Sequence, residues 1–199
     1  MFSIFEPSER RLSEFLRSQR DAAISYEDAG ASRTEEAPAG YAVDHNRVRL
    51  GEGEGTFERA VAALRAWEMF AVGWVRVFPS DAPVEVGTTV AVVGRHLGLF
   101  SLNACRIVYL IDEVDGKVRR RGFAYGTLSE HAEQGEERFT VEWRREDGSV
   151  YYDLYAFSRP NHPLARIGYP LARRQQRRFA RDSLQAMVRA TAPPPPARP

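Results

Sequence analysis

The chain has 199 residues, of which 43% are hydrophobic and 28% charged, which is ordinary for a globular protein with a substantial core. Its formal net charge of +1 gives no strong electrostatic bias, so we do not expect it to bind nucleic acid. The single cysteine, Cys105, excludes an internal disulfide and a cysteine-cluster metal site.

The chain shows no signal that would direct it to a membrane or out of the cell. No apolar run approaches the roughly 20 residues of a membrane-spanning helix. The amino-terminal residues lack a basic region followed by a long apolar one, and this predicts a cytoplasmic protein. The length favours a single α+β domain over residues 1–191, with a helix and a loop in residues 1–40. The proline-rich residues 192–199 are predicted to be disordered, and the oligomeric state is left open.

Three segments have the three- and four-residue spacing of apolar side chains that is typical of helices. The first covers residues 7–24. The second follows Thr56, a suitable N-cap, and ends before Gly73. The third begins with Asn161 as its cap and continues toward the carboxyl terminus, and Pro170 is predicted to kink it.

Between the second and third helices the apolar spacing changes to two residues, which predicts β-strands. Asp115-Gly116 and Asp147-Gly148 are strong hairpin signals. Short turns join consecutive strands, so we predict an antiparallel meander and not a parallel sheet. An edge strand at Tyr41–Leu50 precedes six strands, at Trp74–Phe78, Val84–Val93, Leu102–Asp112, Arg119–Leu128, Glu136–Arg145 and Ser149–Ser158.

The order of elements resembles the helix-grip arrangement of Bet v 1-like and START-like folds. In that arrangement a curved antiparallel sheet wraps around a long carboxyl-terminal helix. A cavity between them commonly holds an apolar ligand. The resemblance therefore implies a protein that binds a small apolar or amphipathic molecule.

Four segments resemble the DUF1990 (UPF0548) family. They are AWEMFAVGWV at 66–75, NACRIVYLIDE at 103–113, RGFAYGTLSEHAEQGEERF at 121–139 and AFSRPNHPLARIGYPLARRQQ at 156–176. The similarity covers roughly residues 10–190. The family is one of unknown function, so the resemblance implies a relationship and supplies no catalytic residues.

Charged residues on apolar strand faces are candidates for a ligand site. Alternation places Arg106 on the even-numbered face of its strand, and Glu137 on the odd-numbered face of another. If both faces point inward, the two must pair, because a buried unpaired charge costs several kcal/mol. We predict that they bind the polar head of a ligand. The predicted ligand contacts also include Tyr125, His96 and Trp143. The alternative is a structural ion pair, or an Arg106 that faces solvent.

An enzymatic hypothesis rests on the loop between two of the strands. His131 lies in this loop and could act as a general base near neutral pH, oriented by Glu136 or Glu137. With Tyr125, these residues suggest an enzyme of the cyclase or hydrolase type. The alternative is that His131 bonds to local backbone and Tyr125 packs in the core.

The remaining motifs favour neither a metal nor a cofactor. His45, His96, His131 and His162 are far apart in the sequence, so no metal site is predicted. Phosphate-binding and nucleophile-elbow motifs are absent, so no cofactor is predicted. The basic stretch Arg173–Arg181 gives a third hypothesis, an interaction protein that docks on anionic surfaces such as a membrane. The alternative is a solvated helix face.

Overall fold

A computed structural model describes residues 2–96, 98–161 and 168–193. In these ranges the helices are α1 (Glu9–Ser18), α2 (Glu54–Arg65) and α3 (Tyr169–Thr191). The strands are β1 (Phe2–Ser3), β2 (Ala42–Glu52), β3 (Val75–Phe78), β4 (Thr89–His96), β5 (Leu99–Asp115), β6 (Val118–Thr127), β7 (Glu133–Arg144) and β8 (Ser149–Pro160). None of the helices in these ranges combines the length and apolarity needed to cross a bilayer.

The strands form one antiparallel sheet in the order β2-β8-β7-β6-β5-β4-β3, and β1 adds a short pairing to β5. Each strand from β3 to β8 pairs with its neighbour in sequence, so this part is the predicted six-strand meander. The predicted edge strand is β2, which pairs with β8. The sheet curls around α3, which confirms the predicted α+β, helix-grip-like fold class.

Both faces of the sheet are covered. The inner face packs against α2 and α3, and its core includes Phe57, Phe123, Phe139, Tyr152 and Met187. The outer face is covered by α1 and by the segment 19–41. Here the apolar contacts include Leu12, Phe15, Leu102, Ala104 and Leu128, and a smaller cluster is formed by Tyr26, Tyr155 and Phe157.

Because both faces are covered, the prediction that the even-numbered face of β5 points inward is wrong. In β5 the odd-numbered Cys105 and Ile107 belong to the inner core, whereas the even-numbered Leu102 and Ala104 pack against α1. Apolar side chains therefore line both faces of this strand, and alternation alone cannot identify the inner one. A register shift after Ile107 then moves Tyr109 to the outer face.

Several predicted boundaries are also wrong. The strand predicted at Val84–Val93 begins at Thr89, because a loop with Gly87 at a positive φ of 92° precedes it. The helix predicted over residues 7–24 ends at Ser18. Thr56 is not an N-cap: α2 follows Gly53, and the Thr56 hydroxyl donates to the Glu52 carbonyl at 2.8 Å within the first turn.

The last helix begins later than predicted. It starts at Tyr169, which places Pro170 in the first turn, where its missing N–H breaks no helical bond. The predicted kink is therefore wrong. Asn161 does not begin the helix, and its carboxamide donates to the carbonyls of Ser129 and His131 at 3.1 and 2.9 Å. Residues 162–167, with His162, and the tail residues 194–199 lie outside the described residues.

Candidate ligand-binding cavity

A cavity of about 440 Å³ lies between the inner face and α3. This volume falls within the usual range of small-molecule sites, about 300–1,000 Å³. Much of the wall is formed by apolar and aromatic side chains from the sheet, from the segment before β3 and from α3. They include Phe70, Trp74, Val92, Leu154 and Phe179.

Small residues on the facing elements leave this space open. The lining includes Gly168 just before α3, Ala172 and Ala180 on α3, and Ala156 on β8. Farther along α3 larger side chains fill the gap, since Met187 is fully buried there. The cavity therefore lies beside the amino-terminal part of α3, where small residues alternate with larger lining side chains such as Phe179.

Glu137 and Tyr125 form a hydrogen-bonded pair in the cavity wall. They are cross-strand partners on β7 and β6, and the Tyr125 hydroxyl donates to Glu137 Oε2 at 2.6 Å. Burial raises the pKa of Glu137 to about 7, although the Tyr125 bond opposes the shift. Burial also raises the pKa of Tyr125 well above its usual range. Glu137 thus changes charge near neutral pH, while Tyr125 stays protonated.

His131 also lines the cavity, but it is held differently from the prediction. Its Nδ1 accepts a bond from the Glu133 backbone N–H at 2.9 Å, so neither Glu136 nor Glu137 orients the ring. Burial lowers the pKa of His131 to about 4, so the ring is neutral at pH 7. The remaining proton then lies on Nε2. His131 is accordingly a hydrogen-bond donor at neutral pH and not the predicted general base.

Glu136 is also among the residues around the cavity, but its carboxylate bonds to the segment that covers the outer face and has a structural role. Its carboxylate accepts from the Tyr26 hydroxyl and the Gly30 N–H, both at 2.7 Å, and from the Ser32 N–H at 3.0 Å. The Ser32 hydroxyl donates a further bond. Only 2% of Glu136 is exposed. The side chain anchors the segment 26–32 against the sheet.

Arg106 does not pair with Glu137, because it lies on the outer face of β5. Its guanidinium donates to the Thr89 hydroxyl at 2.9 Å. It also donates to three carbonyls that follow α1, at 2.8–2.9 Å, those of Gln19, Arg20 and Ala22. Cationic donors suit the carbonyl-rich end of a helix. Arg106 therefore fixes the end of α1 and is not among the residues that line the cavity.

Of the two remaining predicted ligand contacts, His96 lines the cavity and Trp143 does not. His96 lines the cavity and makes a T-shaped contact with Trp74, with ring centroids 5.4 Å apart. Burial, and to a lesser extent Arg178, lowers the pKa of His96. Trp143 is not among the lining residues and packs against Phe57 of α2, with ring centroids 5.9 Å apart.

Sequence reasoning missed two cavity amides, Asn46 and Asn103. Both side chains line the cavity, and neither carboxamide bonds to another described residue. Asn103 shares the odd-numbered face of β5 with Cys105, so the correct face of that strand would have revealed it. Asn46 lies on the edge strand β2, where weak alternation gave no signal.

A polar network at one side of the cavity joins α3 to the sheet. Arg173 donates two bonds to the Asp44 carboxylate, at 2.5 and 2.8 Å, and one to Gln176 at 2.7 Å. The Gln176 amide donates in turn to Glu133 Oε2 at 2.6 Å and to the Ser158 hydroxyl at 2.9 Å. The first arginine of the predicted basic stretch is thus used inside the protein, and we do not propose anionic docking as its function.

One group of side chains on the outer face has the composition of a metal site. Ligand atoms of Glu35, His45 and Asp153 all lie within 4.8 Å of one another. Arg138 already donates to Glu35 at 2.6 Å and to Asp153 at 3.0 Å, and Arg47 lies 3.5 Å from Asp153. These guanidinium groups supply the positive charge that a cation would bring, so the group fits an ion-pair network.

Comparison with known proteins supports the resemblance noted in the sequence. The family described as a domain of unknown function (DUF1990) matches residues 25–186. A UPF0548 protein from Dictyostelium discoideum is 34% identical over 207 residues, which cover 96% of this chain and 95% of the relative. A UPF0548 protein from Deinococcus radiodurans is 39% identical over 201 residues, which cover 96% and 98%.

Among solved structures, the crystal structure of hypothetical protein jhp0584 from Helicobacter pylori is similar to this one. The TM-score is 0.53, and the match covers 85% of this chain and 96% of that chain. The two sequences are 12% identical over the match. At this level of identity the likeness shows a shared fold and nothing about activity.

Proposed function

Because this chain belongs to the DUF1990 family, a domain of unknown function, we propose its role from the cavity: the protein binds a small, mostly apolar molecule between the inner face and α3. The observation that carries this proposal is an apolar cavity with a few polar groups that have no hydrogen-bond partner among the described residues. Such a combination is typical of small-molecule sites.

The polar groups support a ligand more strongly than the volume does. A buried polar group that lacks a partner costs about 1–3 kcal/mol. Glu133 lines the cavity, and its buried Oε1 has no hydrogen-bond partner among the described residues. Glu137 Oε1 and the partly exposed Asn46 and Asn103 carboxamides also line the cavity without a bond to these residues. A ligand with a polar end would bond to one or more of these groups and bury its apolar body against the aromatic wall.

Binding is tested with N-phenyl-1-naphthylamine, an uncharged probe whose fluorescence rises in apolar surroundings. We expect saturable binding to one site, with a Kd on the order of micromolar. Ala172→Phe should abolish binding, because Ala172 lines the cavity and a phenyl ring would occupy it.

Ala62→Phe is the matched control, because Ala62 is exposed on α2. Circular dichroism should show that both variants are folded. Absence of saturable binding to the wild type, or unchanged binding to Ala172→Phe, would refute the proposed function.

A second candidate is an acid–base enzyme that uses Glu137. The observation in its favour is the pKa of about 7 of this carboxyl inside the cavity, since a general acid or base works best near the operating pH. Tyr125 would orient Glu137, and neutral His131 would donate a hydrogen bond to the substrate. His131 would not act as the base.

Native mass spectrometry distinguishes the two candidates. Wild type and Glu137→Gln are purified from the same host, and the masses of co-purifying small molecules are compared. A binding protein retains one molecule in the wild type, and in the variant it retains the same molecule or none. An enzyme retains product in the wild type and substrate in the variant. Glu146→Gln is the control, because Glu146 is exposed and pairs with Lys117.

A further inference from the structure

We propose that the ligand carries a protonated amine, which binds the free Oε1 of Glu137; this inference rests on the proposed function. The cavity combines carboxylates, aromatic rings and amide oxygens, and each of these is a partner for an ammonium group. Among the described lining residues there is no arginine or lysine.

The charges around the cavity favour a cation. Glu137, Glu133 and Asp44 all line it. Glu133 and Asp44 each contribute to raising the pKa of Glu137, so their negative charges act on the same site. Burial lowers the pKa of His131 to about 4 and also lowers the pKa of His96, so burial disfavours a positive charge on either ring.

Two arginines of α3 that are next to cavity-lining residues in the sequence already bind other groups of the protein. Arg173 is bound to Asp44 through two hydrogen bonds. Arg178 stacks on Trp74, 4.4 Å from the ring centroid, and pairs with Asp182 at 3.4 Å. Once Arg173 neutralises Asp44, Glu133 and Glu137 remain without a cationic partner among the described residues. A ligand ammonium would supply the missing charge.

The geometry at Glu137 leaves one oxygen for the ligand. Tyr125 holds Oε2 at 2.6 Å and so fixes the orientation of the carboxyl group. Oε1 has no donor among the described residues. An ammonium group has three N–H donors, and one of them would bond to this oxygen.

Aromatic rings in the cavity wall adjoin Tyr125, the partner of Glu137. The ring centroids of Phe70 and Phe179 are 5.0 Å apart, and those of Phe70 and Tyr125 are 6.3 Å apart. The face of an aromatic ring attracts a cation, with an interaction of about 0.5–2 kcal/mol depending on desolvation. The same rings pack against an apolar ligand body, so one wall serves both parts of an amphipathic amine.

Other polar heads fit this site less well. A carboxylate would add a negative charge beside Glu137 and be repelled. An alcohol would form one hydrogen bond and leave the charge uncompensated. The site therefore selects by charge as well as by shape.

Selectivity is tested by displacing N-phenyl-1-naphthylamine with octylamine, 1-octanol and octanoate at pH 7.5. These competitors share one chain length and differ in their heads. We expect octylamine to bind about tenfold more tightly than 1-octanol, as for a charge-assisted bond, and octanoate to bind most weakly. Glu137→Gln should remove the preference for the amine. Glu137→Asp should keep it, and the exposed control Glu146→Gln should not change it.

The outcomes separate this inference from the proposed function. If the probe binds but the three competitors are equal, or if Glu137→Gln still prefers the amine, the amine inference is wrong and ligand binding stands. If the probe does not bind, the proposed function fails and the amine inference fails with it. Glu137→Asp controls for a folding defect, because it retains the carboxylate charge and should keep the preference for the amine.

Discussion

Glu136 and Glu137 are neighbours in the chain, yet they belong to opposite sides of the sheet and to different kinds of chemistry. Glu136 receives four hydrogen bonds from the segment 26–32 and is almost fully buried. Glu137 receives one, from Tyr125, and faces a cavity. The difference teaches that the number of donors around a buried carboxylate, and not its burial alone, separates a structural anchor from a group available to a ligand.

A similar difference in the number of hydrogen-bond donors is seen between Glu142 on the outer face and two amides on the inner face. On the outer face Glu142 accepts from Arg47, Arg120 and Arg144 at 2.6–2.9 Å, and these bonds hold its pKa at about 2 against the effect of burial. On the inner face the Asn46 and Asn103 amides have no described partner. Glu142 is thus fully engaged by protein donors, whereas these two amides of the inner face have no such partner among the described residues.

The largest effect that separates the two faces is expected at Glu136. Glu136→Gln replaces an acceptor with an amide donor that faces existing donors, so we expect a loss of roughly 3–4 kcal/mol in unfolding free energy. Urea denaturation at pH 7 measures it. Glu137→Gln is the paired variant and should lose little unfolding free energy at this pH. Equal losses for the two variants would contradict the contrast.

Arg106 tests whether the outer face contributes to binding. Arg106→Met removes donors from three carbonyls after α1, and we expect a loss of about 2–3 kcal/mol by urea denaturation. The affinity for N-phenyl-1-naphthylamine should stay within a factor of about two, since the cavity lining does not include Arg106. Arg174→Met is the control on the exposed face of α3. A stable Arg106→Met variant that no longer bound the probe would show that Arg106 contributes to ligand binding.

Glu137 should make stability depend on pH. The folded protein holds this proton up to a pKa of about 7, whereas the unfolded chain releases it near 4.5. The stabilisation from the protonated group is thus complete below pH 4.5 and is lost as pH rises through 7. As the pH rises from 5 to 8, the unfolding free energy of Glu137→Gln should increase by on the order of 2 kcal/mol relative to that of the wild type. Urea titrations at both pH values measure this, and Glu146→Gln should retain the wild-type slope.

The smallest effect is expected at His131, in the opposite pH range. Its folded pKa of about 4 lies below the usual 6.5, so the unfolded chain binds a proton between these values and stability falls as pH decreases. His131→Asn keeps an acceptor for the Glu133 N–H and removes the titration. At pH 5 the variant should be more stable than wild type by about 1–2 kcal/mol, and at pH 7 the two should be equal. Thermal or urea unfolding at both pH values measures the difference.

Much of the fold could be predicted from local patterns. The two-residue alternation and the two Asp-Gly turns defined the meander, and the odd-numbered face of β7 correctly placed Glu137 on the inner side. Prediction failed where a distant element decides the environment. Arg106 was assigned to the wrong face because α1 covers the outer side of β5 with apolar residues of its own. The register shift after Ile107 had no signature in the alternation.

The candidate site was predictable only in part, because distant segments of the chain also decide which residues bond to one another. Tyr125, Glu137, His96 and His131 were identified as polar or aromatic residues near strand ends, and all four line the cavity. The different roles of Glu136 and Glu137 could not be predicted, because the donors to Glu136 come from a segment about a hundred residues away. Whether the cavity residues bind a ligand stays a prediction.

The anchoring of residues 26–32 by Glu136 has a consequence for synthesis of the chain. The hydrogen bonds join residues 104–110 positions apart. At a translation rate of about 5–20 residues per second, Tyr26 waits roughly 5–20 seconds for β7 to emerge from the ribosome. During that interval the apolar side chains of α1 also lack the sheet that later covers them. The amino-terminal cover therefore remains without its partners in the nascent chain until the strands that it packs against have been synthesised.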